Sequence, residues 1–165
     1  MKTTLDADEY FHLALHASSM SDPHACIAYL DEVLQRQPDN ARALYLRAVQ
    51  HADLGLTRRA MCGINEALAL EPALEIARFH LGLLLLLERN RRDEAKRSFL
   101  ELSGSADHAL RTSAGALAAL ADDDIGPARA MLAFNFARAT IDPALTALMK
   151  RVFEHVAGGA ARAVD

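Results

Sequence analysis

The apolar positions of this chain follow helical patterns, and two of them stand at opposite extremes. Near the middle, five consecutive leucines, Leu83 to Leu87, follow Leu81 and Gly82. At about 100° per residue their directions sweep about 400°, so they face every side of a helix. Only a membrane, a sandwiched core position or an apolar binding face accommodates such a run. Near the C-terminus, Leu145, Leu148, Met149, Val152, Phe153 and Val156 share one face, while Lys150, Arg151 and Glu154 lie off it. That is an amphipathic helix with one side to bury. The longest apolar runs, Leu81 to Leu87 and Ala114 to Ala121, fall well short of the roughly 20 residues a membrane helix needs. No membrane insertion is expected.

The patterns repeat. Asn40 to Ala48 and Glu75 to Gly82 each read as a helix start that reaches a small residue, where a second helix approaches closely. Twelve residues after Ala48 comes Ala60, and twelve after that Pro72. The same ladder runs through Ala14, Cys26 and Pro38, and Pro38 to Pro72 is 34 residues. A fixed period of this size marks a helix–turn–helix unit that must stack on its neighbours to bury its apolar sides. Gly82 to Ala95 is thirteen, so the inner turn of the third unit is one residue longer. In a degenerate fourth unit, Leu117 and Ala118 are followed by Ala130, Phe134 and Ala137. The expected layout is one all-α domain over 1–165, with units at about 7–40, 41–74, 75–110 and 111–144. A capping helix follows at about 143–157, then a flexible tail at 158–165. Local punctuation agrees. Asp6 and Glu9 form a capping-box pair. Pro23, Pro127 and Pro143 fall in first turns of helices. Ser103-Gly104-Ser105 and Gly158-Gly159 are breakers.

Composition narrows the function classes. The 165 residues are 52% hydrophobic and 24% charged, with aromatics at 5%. Alanine and leucine dominate, which favours helix over strand. A net charge of −4 is too mild to imply nucleic acid. The N-terminal stretch lacks a basic and an apolar segment, so no signal peptide is expected. Cys26 and Cys62 show no CxxC or metal spacing, and a reduced, cytoplasmic setting is the default. Cys26 reads as an inert buried thiol at a packing position. His12 and His16 lie one helical turn apart without a third ligand nearby in sequence, which favours a surface pair over a metal site. Arg89, Arg91, Arg92, Lys96 and Arg97, interleaved with Glu88, Asp93 and Glu94, read as a solvated turn with local ion pairs. Nothing matches a nucleotide loop, a nucleophile elbow or a metalloprotease helix. No catalytic residue, metal or cofactor is expected.

Asp53 to Ala60 with Glu66 to Pro72, and Leu81-Gly82 with Asn90 to Ala95, Phe99 and Leu102, resemble the tetratricopeptide repeat (TPR). The resemblance covers about nine tenths of the chain and implies an α-solenoid of about four helix pairs plus the capping helix. It also implies that the first helix of each pair lines a concave groove that binds a protein or peptide. The groove pairs then correspond to Phe11 and Leu15, Tyr45 and Val49, and Phe79 and Leu83. Ile76, His80, Leu86 and Leu87 join them, and Gly115, Ala119, Asp122 and Asp123 are the fourth-unit equivalents. Members that clamp a carboxylate place Lys, Asn and Arg there. This chain has apolar and aromatic residues instead, with an acidic end at Asp122-Asp123-Asp124. The implied function is a non-catalytic adaptor that holds a segment with apolar anchors. Two alternatives stay open: a secretion-system chaperone for an effector or translocator, and a structural subunit that docks through its convex face or last helix. A homodimer through the C-terminal helix is the corresponding self-association.

Overall fold

A computed structural model describes residues 5–88, 90–137 and 143–162. Among them nine helices follow one another. These are α1 (Ala7–Ser19), α2 (Pro23–Arg36), α3 (Ala41–Asp53), α4 (Thr57–Leu70), α5 (Glu75–Leu86), α6 (Arg92–Leu100), α7 (His108–Ala121), α8 (Ile125–Ala137) and α9 (Pro143–Arg162). The chain divides into two compact units, Met1–Ala77 and Arg78–Asp165, with the division inside α5.

In the first unit, α1 packs on α2, α2 on α3 and α3 on α4. The starts of α1, α2 and α3 are satisfied by short side-chain acceptors. At α1 the Glu9 amide donates to Asp6 Oδ1 and the Asp6 amide donates to Glu9 Oε2, each at 2.8 Å. This is the reciprocal box the sequence predicts. Asp22 accepts from the Ala25 amide at 3.0 Å, with Pro23 next to it, and Asn40 accepts from the Ala43 amide at 3.0 Å. Small residues make the helix crossings close. Ala14, Cys26, Ala43, Ala60 and Ala67 have no exposed surface, and a Cβ added at Gly63 would lie 3.0 Å from that of Ala48. Leu30, Val33 and Ile64 fill the space between helices.

The second unit runs from Arg78 onward. Here α6 packs on α7 and α7 on α8. Gly82 lies against Phe99: a Cβ there would meet the ring at 2.6 Å. The rings of Phe79 and Phe99 stand edge to face, centroids 5.7 Å apart. In α9, Leu145, Met149, Val152 and Val156 are buried, while Leu148 and Phe153 are half-buried. The Arg129 guanidinium of α8 sits over the Phe153 ring, 5.7 Å from its centroid.

The turn inside a hairpin has one recurring form. Ser21, Gly55 and Asp123 have φ of 57°, 75° and 61°. Each ends an inner helix in a Schellman motif. The Ser21 amide donates to Ser18 O and the Asp22 amide to Ala17 O, both at 3.0 Å. Gly55 and Leu56 repeat this onto Ala52 and His51 at 2.9 and 2.8 Å. Asp123 and Asp124 do so onto Leu120 and Ala119 at 3.0 and 3.1 Å. These left-handed residues come seven positions after Ala14, Ala48 and Ala116.

That spacing corrects the fourth unit. The small residue of its inner helix is Ala116, not Ala118, and its partner twelve residues on is Ala128, not Ala130. Ala116 and Ala128 are fully buried, whereas Ala130 is exposed. In this alanine-rich stretch several residues fit a small position, and only the turn fixes which one is used. The inner helix also starts before Arg111, at His108, because Asp107 caps it by accepting from the Leu110 amide at 3.0 Å. At the other end, α9 continues through Gly158-Gly159 to Arg162. Two glycines cost a helix only about 1 kcal/mol each relative to alanine, and alanines follow them. The side chains of Phe134 and Ala137, and the end of the expected tail at 163–165, lie outside the described residues.

Candidate functional site

Two positions of the inner helices, three residues before the small residue and one after it, carry the candidate site. In the first unit these are Phe11 and Leu15 on α1, and Tyr45 and Val49 on α3. Phe11, Tyr45 and Val49 are half-buried and Leu15 is 45% exposed. Phe11 leans on the Ala7, Ala14 and Ala43 cluster, and Tyr45 on Ala41, Leu44 and Ala67. Each ring is therefore packed on the core yet half-buried. The two helices are tied by Gln50, itself buried, whose Nε2 donates to Ser18 Oγ at 3.4 Å. Arg47 of α3 pairs with Asp31 of α2 at 2.7 Å. His51 on α3 is held below the usual histidine range by burial, and further by the nearby Arg47 and Arg59 guanidinium groups.

In the second unit the same two positions are closed. Phe79 and Leu83 have no exposed surface, Leu86 is 2% exposed and His80 is buried. The expectation that they line an open groove does not hold for these four. From Leu81 on, the helix carrying them is apolar on all sides, and Leu83, Leu84, Leu85 and Leu86 are all buried. In the corrected fourth unit the equivalents are Ser113 and Leu117, also fully buried. Gly115 and Ala119, taken as the lining from the earlier spacing, are exposed and half-buried. Ile76 and Leu87 keep partial exposure. The acidic end is engaged as well: Lys96 reaches Asp122 at 2.6 Å and Arg92 pairs with Asp123. The basic cluster therefore makes pairs across 26 and 31 residues besides the local Arg91–Glu94 pair. Residue spacing predicts local pairs only, and the long-range ones come from packing α6 on α7.

Among the described residues no group of three or more His, Cys, Asp or Glu side chains is placed to hold a metal ion. Cys26 is fully buried, and burial, with Asp22 adding to it, pushes its thiol up to about 11. It is no nucleophile at neutral pH. Cys62 is exposed, with Sγ 3.6 Å from Glu66 Oε1. No helix among the described residues is long and apolar enough to cross a membrane.

No known family description matches the chain. Two curated sequences are similar over part of it. The human FK506-binding protein-like is 31% identical over 71 residues, 43% of this chain and 20% of that protein. Its Mus musculus counterpart is 32% identical over 88 residues, 53% of this chain and 24% of that protein. The matched region is thus at most about a quarter of either relative's length. Solved structures match more completely. The type IV pilus biogenesis factor PilW superposes with a TM-score of 0.67 at 20% identity, covering 92% of this chain and 70% of its own. MamA from Desulfovibrio magneticus RS-1 gives 0.64 at 18%, covering 94% and 92%. A tetratricopeptide repeat protein from Parabacteroides merdae gives 0.67 at 17%, covering 99% and 63%. With the paired helices, the twelve-residue ladder and the repeated turn, these likenesses settle the architecture: the chain has the fold of a tetratricopeptide-repeat protein, an all-α solenoid of helix pairs.

Proposed function

We propose that the chain is a non-catalytic adaptor that holds a protein segment on the apolar patch of Phe11, Leu15, Tyr45 and Val49. The observation that carries this is the contrast at one pair of repeat positions: open in α1 and α3, sealed in α5 and α7. Half-buried aromatics already packed on the core lose little side-chain entropy when a partner covers them. Each well-seated apolar anchor of the partner contributes on the order of 1.5–3 kcal/mol before ordering costs. The absence of Lys, Asn and Arg at these four positions favours apolar anchors over a partner carboxylate. The reading predicts that Leu15→Ala with Tyr45→Ala lowers retention of the bound partner at least tenfold. The measurement is quantitative mass spectrometry of proteins captured from the native organism, with Leu100→Ser, an exposed site in the second unit, as control. Equal retention by the double variant and the unsubstituted chain would falsify it.

A further inference from the structure

The N-terminal end of the first unit carries a second surface, which the proposed groove does not use. On α3, the residues that face the preceding helix pair are Ala43, Leu46, Arg47 and Gln50. Ala43 is fully buried, and Leu46 packs on the α1–α2 core. Arg47 pairs with Asp31, and Gln50 donates to Ser18. By the Ala14–Ala48 correspondence, the same positions on α1 are Glu9, His12, Leu13 and His16, and Met20 follows at the helix end. All five are exposed, Leu13 by 37% and Met20 by 68%. This is the face with which the fold stacks one helix pair on another, and at α1 it holds two histidines four residues apart. Side chains at that spacing on a helix are neighbours, with Cβ atoms about 5–6 Å apart. The ring orientation of His12 is also set: Nδ1 lies 2.7 Å from the Asp8 carbonyl oxygen. A carbonyl only accepts, so Nδ1 carries the proton, and the Nε2 lone pair of the neutral ring is left for a ligand. Backbone-fixed imidazoles of this kind are the usual arrangement around bound zinc.

We propose that His12 and His16 chelate a divalent transition-metal ion of the zinc class, and that a second copy of the chain completes the coordination with its own pair. Two imidazoles leave a tetrahedral ion half coordinated, and one copy supplies no third ligand among its described residues. A twofold axis at the ion brings the missing two from an identical α1, and the same symmetry lays Leu13 and Met20 of one copy toward those of the other. A hard ion such as Mg²⁺, which prefers oxygen ligands, is not held.

The test uses the full chain free of any histidine tag, with Zn²⁺ alone as probe. Competition against a chromophoric chelator gives affinity and stoichiometry, and sedimentation velocity gives the mass. One ion per two chains is expected, with the mass doubling from 17.9 kDa and returning on addition of EDTA. His12→Ala and His16→Ala each weaken zinc binding at least tenfold and abolish the doubling, with an unchanged circular dichroism spectrum. Leu13→Asp keeps both histidines but loses the doubling, so it binds one ion per chain through a single pair and more weakly than the unsubstituted protein, though more tightly than either histidine variant. Binding unaffected by either histidine substitution overturns the site. One ion per chain with no change of mass in the unsubstituted protein overturns the shared coordination.

Discussion

The two units spend the same repeat positions differently. In the first, α1 and α3 leave Phe11, Leu15, Tyr45 and Val49 partly open. In the second, Phe79, Leu83, Ser113 and Leu117 are sealed. The residue types do not explain this, since Phe11 with Leu15 and Phe79 with Leu83 are the same two amino acids at the same spacing. Their surroundings do. From Leu81 on, the helix bearing Phe79 and Leu83 is apolar all round, with Leu84 and Leu85 buried, whereas α1 has His12, His16 and Ser19 exposed. One pair of residues therefore serves as surface in one unit and as core in the other.

Substitutions at this pair break or sharpen that contrast most directly. Leu83→Ala should destabilise the chain by about 3 kcal/mol, the usual cost of a buried leucine cavity. Leu15→Ala should stay within about 0.5 kcal/mol, as exposed positions do. Urea unfolding of the two variants side by side reads both, and equal midpoints would erase the distinction between the units. Next in size, Gly82→Ala should cost about 2 kcal/mol, since its methyl group would overlap the Phe99 ring. Trimming the ring in Gly82→Ala with Phe99→Leu should recover part of that loss in a double-mutant cycle. The shared turn offers a smaller effect of opposite signs. Gly55→Ala should cost about 1 kcal/mol at its positive φ. Ser21→Gly should gain about 0.5 kcal/mol, the relief of the same strain less the added freedom of the unfolded chain. The mildest probe is chemical. Iodoacetamide at pH 8 should modify Cys62 in the folded protein and reach Cys26 only on unfolding. Cys26 is a thiol whose folded value is raised to about 11 from 9.0. Its contribution to stability should therefore be intact below pH 9 and fade as pH rises toward 11. A Cys26→Ala variant should lack that part of the alkaline loss.

The sequence carried the helix pairs, their period and the extra residue of the third unit, because alanine, glycine and proline spacings reflect close backbone approach. It also carried the capping box at Asp6 and Glu9, a local motif. It did not carry the register of the fourth unit. Between Ala114 and Ala121 nearly every residue is small or apolar, so a packing alanine has no distinctive neighbour; Asp107 before the helix and Asp123 in its closing turn were the available markers. Nor did it distinguish open from sealed faces. Whether Phe79 meets solvent depends on residues far along the chain, such as Phe99. The ion pairs from α6 to Asp122 and Asp123 were hidden for the same reason.

The turn between α5 and α6 is where the ladder step lengthens from twelve to thirteen residues. Both flanking helices keep their packing there: Gly82 stays against Phe99, and Ala95 stays fully buried. The chain has thus already absorbed a length change at this point. An epitope or a fluorescent reporter spliced between Glu88 and Arg91 should be carried without loss of folding, which gives the protein a natural insertion port for following it in cells.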